Sequence, residues 1–340
     1  MNRKTRIMQP LSLLKDLVTD SLREVEFVGV RCLRKRLNKC ECLRCIDSCS
    51  AGSLSLKNNQ IEFDSDTCSG CMRCLAVCPS EAFLAPEYDL DKQFKSLSDQ
   101  NRVIFSCPRQ NLPNAETMIV PCMGMFSIEL LFFLGMTGPP LISFNVSNCH
   151  GCVNKSASDL FLKSLGHLET YASALLNTRF IVLAESAQEK TDSKDDRRYF
   201  ISTVANHLIS ATSPQLLAKP EIPGEPASMN RWVPQKTQLT KLLLELADNE
   251  SKDLLLTLCT HQVSINRDCT LCPLCTGICP TGALKIEGFN EGKQLMFNNS
   301  RCSGCELCVT FCKNKAISLK FPQISETIHT QRRLRESEFV

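Results

Sequence analysis

One cysteine spacing, used three times, constrains this chain more than anything else in it. Cys68, Cys71, Cys74 and Cys78 form C-x2-C-x2-C-x3-C with Pro79 next. Cys269, Cys272, Cys275 and Cys279 repeat it before Pro280, and Cys302, Cys305, Cys308 and Cys312 repeat it again with Lys313 in the proline's place. Cys40, Cys42, Cys45 and Cys49 make a distorted fourth copy: the first gap is one residue, Lys39 holds the regular first position and Ser50 follows. This spacing ligates iron–sulfur cubanes. Cluster iron is soft and prefers thiolate, and two-residue gaps let three cysteines of one loop reach three corners. The fourth ligand is the last cysteine of the partner copy. Zinc fits poorly, because paired runs of four cysteines exceed what one tetrahedral site uses.

Carried onto this chain, the rule predicts four [4Fe-4S] clusters. The first takes Cys40, Cys42, Cys45 and Cys78, and the second Cys68, Cys71, Cys74 and Cys49. The third takes Cys269, Cys272, Cys275 and Cys312, and the fourth Cys302, Cys305, Cys308 and Cys279. The bent first run leaves a second reading open, in which that site is degenerate and three cubanes remain. The regular repeats resemble bacterial 2[4Fe-4S] ferredoxin domains.

The remaining composition is consistent with such chemistry. Twenty-two cysteines as disulfides would need an oxidising compartment and usually a signal peptide. The opening MNRKTRIMQPLSLLKDLVTD has no apolar core segment, so reduced thiolates in the cytoplasm are expected. A net charge of +3 is too small to argue for nucleic acid. Arg31, Arg34, Lys35, Arg36 and Lys39 gather before the first cluster and read as a solvated loop face, or else as a docking patch for an acidic redox partner. The apolar stretch from Met118 to Val146 is broken by Pro121, Glu129, Pro139 and Pro140, so no transmembrane span is expected.

The chain is an internal repeat around an insert. Residues 38–88 and 267–321 share one plan: cluster, hairpin, cluster, closing strand. The hairpins are read at Leu54–Leu56 with Ile61–Phe63, turning at Asn58–Asn59, and at Ala283–Ile286 with Gln294–Phe297, turning at Gly288–Gly292. Closing strands are read at Ala82–Leu84 and Ala316–Leu319. Between the repeats, short apolar runs at Arg102–Ser106, Met118–Val120, Leu141–Val146 and Phe180–Ala184 alternate with helical patterns at Phe126–Leu134, Ala157–Leu176 and Arg198–Ser210. That alternation predicts a parallel sheet. The expected class is therefore α+β multidomain, two ferredoxin-like 2[4Fe-4S] domains bracketing a central α/β parallel-sheet domain. The boundaries read as a docking helix over 1–30, with a stripe from Leu11 to Val25, and a ferredoxin domain over 31–92. The α/β domain follows over 93–213, then a proline-rich linker and helix over 214–258, the second ferredoxin domain over 259–325 and a tail over 326–340.

The insert carries four more cysteines, each just past the end of a predicted strand. Cys107 follows RVIFS, Cys122 follows MIVP, and Cys149 and Cys152 follow LISFNV. The C-terminal ends of parallel strands share one edge, where ligand sites form. These thiols therefore predict a fifth cluster, [2Fe-2S] or [4Fe-4S]. The competing reading is two buried thiols plus a redox-active Cys149–Cys152 pair. His150 between them reads as a hydrogen-bond donor, while Cys259 and Cys32 read as small core residues. The stretch CPRQ, VPCMGMFSIELLFFLGMTG and NCHGC, from Cys107 to Cys152, resembles the delta subunit of methyl-viologen-reducing hydrogenases and its relatives in heterodisulfide reductase complexes. That resemblance implies a cysteine-ligated [2Fe-2S] cluster and electron transfer between a hydrogenase or dehydrogenase and a reductase module.

Nucleotide-binding motifs and acid–base constellations are missing from the sequence, so no catalytic residue is expected outside the cysteines. The reading is an electron-transfer subunit working between partner redox subunits or with a soluble carrier. One alternative is a reductase whose central thiols act on a disulfide or small oxidant. The other is a redox sensor or maturation factor.

Overall fold

The computed structural model describes residues 24–86, 88, 97, 100–110, 117–172, 176, 178–184, 231–288, 292–320 and 331–336. The expected N-terminal stripe before Val25, the helix at Arg198–Ser210 and nearly all of the proline-rich segment lie outside them.

The first repeat runs β1 (Glu26–Phe27), α1 (Leu33–Arg36), α2 (Arg44–Asp47), β2 (Leu54–Lys57), β3 (Gln60–Phe63), α3 (Arg73–Val77) and β4 (Phe83–Leu84). β2 and β3 form the expected hairpin, with Leu54 opposite Phe63. Asn58 and Asn59 both take positive φ, 49° and 61°, the primed two-residue turn whose twist fits the flanking strands. β4 pairs with β1, Phe27 opposite Phe83, and not with the hairpin. Those two rings stack at 4.9 Å.

The central sheet is parallel throughout. It contains β5 (Arg102–Ser106), β6 (Thr117–Ile119), β7 (Leu141–Asn145) and β8 (Arg179–Leu183) in the order β6-β5-β7-β8. The chain starts in the middle, steps outward to β6, then crosses back to β7. The boundary between β5 and β7 is therefore a topological switch point, where a crevice opens at the strand C-terminal ends. Helix α4 (Ile128–Thr137) is capped by Ser127, whose hydroxyl accepts from Leu130 N at 3.3 Å. With α5 (Lys155–Ala172) it packs around a core of Phe105, Phe126, Phe144 and Phe161, neighbouring rings standing 4.9–5.7 Å apart.

The helix read in 214–258 is α6 (Gln235–Leu246), and a second helix, α7 (Asn249–Cys259), follows it. Leu239, Leu243, Leu244, Leu255 and Leu256 are buried in the same apolar core as α4 and the central sheet, with Cys259 among them. The second repeat then runs β9 (Gln262–Ile265), α8 (Leu274–Ile278), β10 (Leu284–Glu287), β11 (Gln294–Asn298), α9 (Leu307–Phe311) and β12 (Ile317–Lys320). β10 and β11 are its hairpin, and β12 pairs with β9 as β4 pairs with β1. Residues read as a tail supply β13 (Gln331–Glu336), a third strand beside β11. Among the described residues no helix is long and apolar enough to cross a membrane.

Candidate metal centres

The cysteine loops turn by the same local device. Three residues after the last cysteine of each run the backbone is left-handed: Gly52 at φ 69°, Glu81 at 52°, Gly282 at 66° and Lys315 at 50°. The chain thereby doubles back onto the sulfur it has just passed. Ala82 N donates to Cys78 Sγ, and Ala316 N to Cys312 Sγ, both at 3.3 Å. Inside the runs, Gly70 and Gly304 share φ 65°, and Met72 and Glu306 follow at 60° and 61°. A non-glycine residue held left-handed costs about 1–2 kcal/mol, so Glu81 needs support. Its carboxylate accepts from Trp232 Nε1 at 2.9 Å and Gln235 N at 3.2 Å, while the Arg31 guanidinium lies 3.6 Å over the indole ring.

The thiols gather crosswise between paired runs. Cys49, Cys68, Cys71 and Cys74 line one cavity. In the second repeat, burial pushes the Cys275 thiol up to about 12, and Cys269, Cys272 and Cys312 crowd it further. Burial likewise raises Cys308, with Cys305, Cys302 and Cys279 around it. Thiols this reluctant to ionise would become thiolate ligands only beside strong positive charge, which bound cluster iron would supply. Among the described residues no three of His, Cys, Asp or Glu converge tightly enough for a single ion. Soft donors gathered in fours suit a cubane with one thiolate per corner.

The irregular run is arranged differently. Burial raises Cys45 to about 12, and the thiols that crowd it are Cys78, Cys42 and Cys32. Cys32, read from sequence as a core residue, has Cys78 and Cys42 beside it. Cys40 lies next to Cys42, but its thiol is buried with Leu33 and Leu307 and faces Cys305 of the other repeat. The nearby basic run is divided: Lys35 and Lys39 are exposed, as expected of a surface, while Arg34 and Arg36 turn inward. Arg34 is 4% exposed and donates to Cys42 O at 2.7 Å, and Arg36 donates to Ile278 O at 3.0 Å.

In the insert, Cys107 leaves β5, Cys122 follows β6, and Cys149 and Cys152 bracket a short 3-10 turn after β7. Cys107 and Cys149 thus flank the switch point. Burial pushes Cys122 up to about 12, with Cys107, Cys71 and Cys149 crowding it, and Cys149 in turn has Cys107 and Cys152 beside it. Two amides hold the group. Gln110 Nε2 donates to Cys149 Sγ at 3.2 Å while its Oε1 accepts from Ser147 Oγ and Asn148 N. Asn154 N donates to Cys152 Sγ at 3.4 Å, and its Nδ2 to Ser69 O at 3.2 Å. Neither amide was singled out in the sequence; a strand-end C-P-x-Q and the asparagine two residues past a C-x2-C are the only local signals. His150 lies in the 3-10 turn and is exposed.

Asn154 also ties this group to the first repeat, because Ser69 precedes Cys71 in its loop. Gly124 completes the contact: a Cβ there would lie 2.4 Å from Cys71 O. The first and second repeats meet through Leu33, Cys40 and Leu307, and through Arg44, which donates to Gly304 O at 2.9 Å and pairs with Glu306 at 3.1 Å.

The family described as 4Fe-4S dicluster domain matches residues 267–321, and the family described as 4Fe-4S binding domain matches residues 60–83. The chain therefore carries two ferredoxin-type iron–sulfur regions with a parallel sheet between them. Neither match reaches the central thiols, and the resemblance of 107–152 to the hydrogenase delta subunit has no match behind it. No curated protein and no solved structure matches the chain.

Proposed function

We propose that this protein is a cytoplasmic electron-transfer subunit whose thiol sets form one continuous series. The series begins at Cys107, Cys122, Cys149 and Cys152, then passes to Cys49, Cys68, Cys71 and Cys74. It continues through the set built on Cys42, Cys45 and Cys78 to Cys279, Cys302, Cys305 and Cys308, and ends at Cys269, Cys272, Cys275 and Cys312. Iron–sulfur clusters, four of them [4Fe-4S] and the central one [2Fe-2S] or [4Fe-4S], supply one-electron transfer when bound there.

The observation that carries this reading is the direct contact between the central thiols and the first repeat, where Gly124 lets Cys71 O approach and Asn154 bridges Ser69 O to Cys152. Each later step has similar support. Cys45 crowds Cys74, Arg44 beside Cys45 donates to Gly304 O beside Cys305, and Cys275 crowds Cys308. The ends differ in access. Cys272 is the exposed ligand at one end, and His150 and Gly151 are exposed beside the central thiols at the other. Partner redox subunits, a hydrogenase or dehydrogenase and a reductase, would meet these ends.

Anaerobic purification with iron and sulfide counts tests the reading. About 18 or 20 irons per chain, falling by about two or four in Cys149→Ser, is the expected result. A count of about 16 that this substitution leaves unchanged, with an unchanged EPR spectrum, would return the central thiols to a dithiol role.

A further inference from the structure

The two repeats can be aligned by hydrogen bonds instead of by cysteine spacing. In the second, Ala316 lies four residues past Cys312 and its carbonyl accepts from Asn266 N at 3.0 Å. In the first, Ala82 lies four residues past Cys78 and its carbonyl accepts from Val28 N at 2.8 Å. Strand pairing gives the same alignment, since Phe27 faces Phe83 and Ile265 faces Ile317. Val28 therefore corresponds to Asn266. Beyond Asn266 the chain bends back, Cys269 N donating to Asn266 O at 3.4 Å, and Cys269 is the first ligand of its run. Beyond Val28 the chain bends back in the same way, through Arg31 N to Val28 O and Cys32 N to Gly29 O, both at 3.0 Å. The cysteine delivered there is Cys32, one residue later than its counterpart.

From this correspondence we infer that Cys32, not Cys40, is the first ligand of the irregular run, so that Cys32, Cys42, Cys45 and Cys78 form one iron–sulfur site. The inference rests on the proposed presence of a cluster in this repeat. The other positions already agree without a gap: Cys42-x2-Cys45-x3-Cys49 has the spacing of Cys272-x2-Cys275-x3-Cys279. Remove residues 33–39 and the run from Cys32 reads C-x2-C-x2-C-x3-C. The irregular copy is thus a regular one with seven residues inserted after its first ligand. The crowding of Cys45 by Cys78, Cys42 and Cys32 agrees with this grouping.

The insertion has its own use. It forms α1, which buries Leu33 to 2% against Leu307, with Cys40 at 4% beside them, and places Arg36 on Ile278 O. Arg34 then donates back to Cys42 O, closing the excursion beside the second ligand. Cys40 is accordingly a packing thiol between the repeats.

Iron counts and EPR on the full chain, purified anaerobically, test the assignment with three substitutions. Cys32→Ser and Cys42→Ser should each lose about four irons and the same signal, while Cys40→Ser keeps the wild-type count. Loss of iron in Cys40→Ser, or retention in Cys32→Ser while Cys42→Ser loses it, would overturn the assignment and leave the cluster itself in place. If Cys42→Ser also keeps every iron, the first cluster does not exist and both readings fall together. Should Cys32→Ser not accumulate, Cys40→Ser decides: full iron supports Cys32, and a loss of about four refutes it.

Discussion

Gly124 packs directly on the Cys71 peptide of the first repeat, so Gly124→Ala perturbs the proposed series at a single carbon. A Cβ at this buried position would stand 2.4 Å from Cys71 O and 2.9 Å from Ala157 Cβ, whereas ordinary contact begins near 3.4 Å. The two surfaces must separate by about 1 Å at the Cys71 peptide to admit it. No side-chain rotation relieves the clash, because its nearest atom is a backbone carbonyl. Overpacking of this kind costs about 1–3 kcal/mol, and the backbone obstruction argues for the upper half. At about 2–4 °C per kcal/mol, the apparent Tm of the iron-loaded protein should fall by about 4–12 °C. The EPR signal of the Cys49–Cys68–Cys71–Cys74 site should broaden or shift, with the iron count retained. Gly151→Ala is the control, because nothing lies within 4 Å of a Cβ there. A Gly124→Ala protein whose Tm and spectrum match those of Gly151→Ala would refute the claim that this interface is closed and close-packed.

Two further substitutions probe the supports of the series. Trp232→Phe removes the donor at 2.9 Å from Glu81, whose carboxyl burial already holds above its usual range, and should cost about 1.5–3 kcal/mol near neutral pH. The penalty of keeping Glu81 ionised exists above its raised folded pKa and disappears as pH falls through it, so the Tm gap to wild type should narrow in acid; a gap independent of pH would dismiss the Glu81 contact. Ser80→Ala removes a hydroxyl 3.6 Å from Cys78 Sγ. Hydrogen bonds to ligand sulfur favour the reduced state, so redox titration should find one potential lowered, and a spectrum of unchanged potentials would show the hydroxyl to be idle.

How much of this was legible in the sequence depended on how local the signal was. The hairpin at Asn58–Asn59 and strands β5 and β7 could be read because turn residues and apolar runs specify them within a few positions. β1 and β9 could not, since each is a strand only by virtue of its partner fifty or more residues away. α7 is missed although Asp248 caps it, accepting from Ser251 N at 2.8 Å; only Cys259 at its end reads as a core residue. The thiols of the regular runs and of the strand ends were visible as spacing and position. Cys32 was not, because spacing arguments compare cysteines only with their sequence neighbours. Its proposed role rests on a hydrogen bond between Val28 and Ala82, fifty-four residues apart.

The irregular run is also what joins the two repeats. Two ferredoxin units linked by chain alone would move relative to each other, the default for small interfaces within a chain. Here the first departs from the regular pattern by seven residues, and those residues make the contact. Burying a leucine fully contributes about 1.5–3 kcal/mol, so Leu33 and Leu307, at 2% and 0% exposure, together contribute several. Arg36 on Ile278 O and Arg44 on Gly304 O add polar register, and Trp232 closes the other side, its amide donating to Pro280 O at 2.8 Å while its ring holds Glu81. Ile278 precedes Cys279 and Gly304 precedes Cys305, so both carbonyls belong to loops that carry proposed ligands of one site. A regular first run would have had the same four thiols and no α1. On the proposed assignment the insertion therefore leaves the ligand count unchanged and holds two sites at a fixed spacing, which is what the proposed series of one-electron sites would require of its protein.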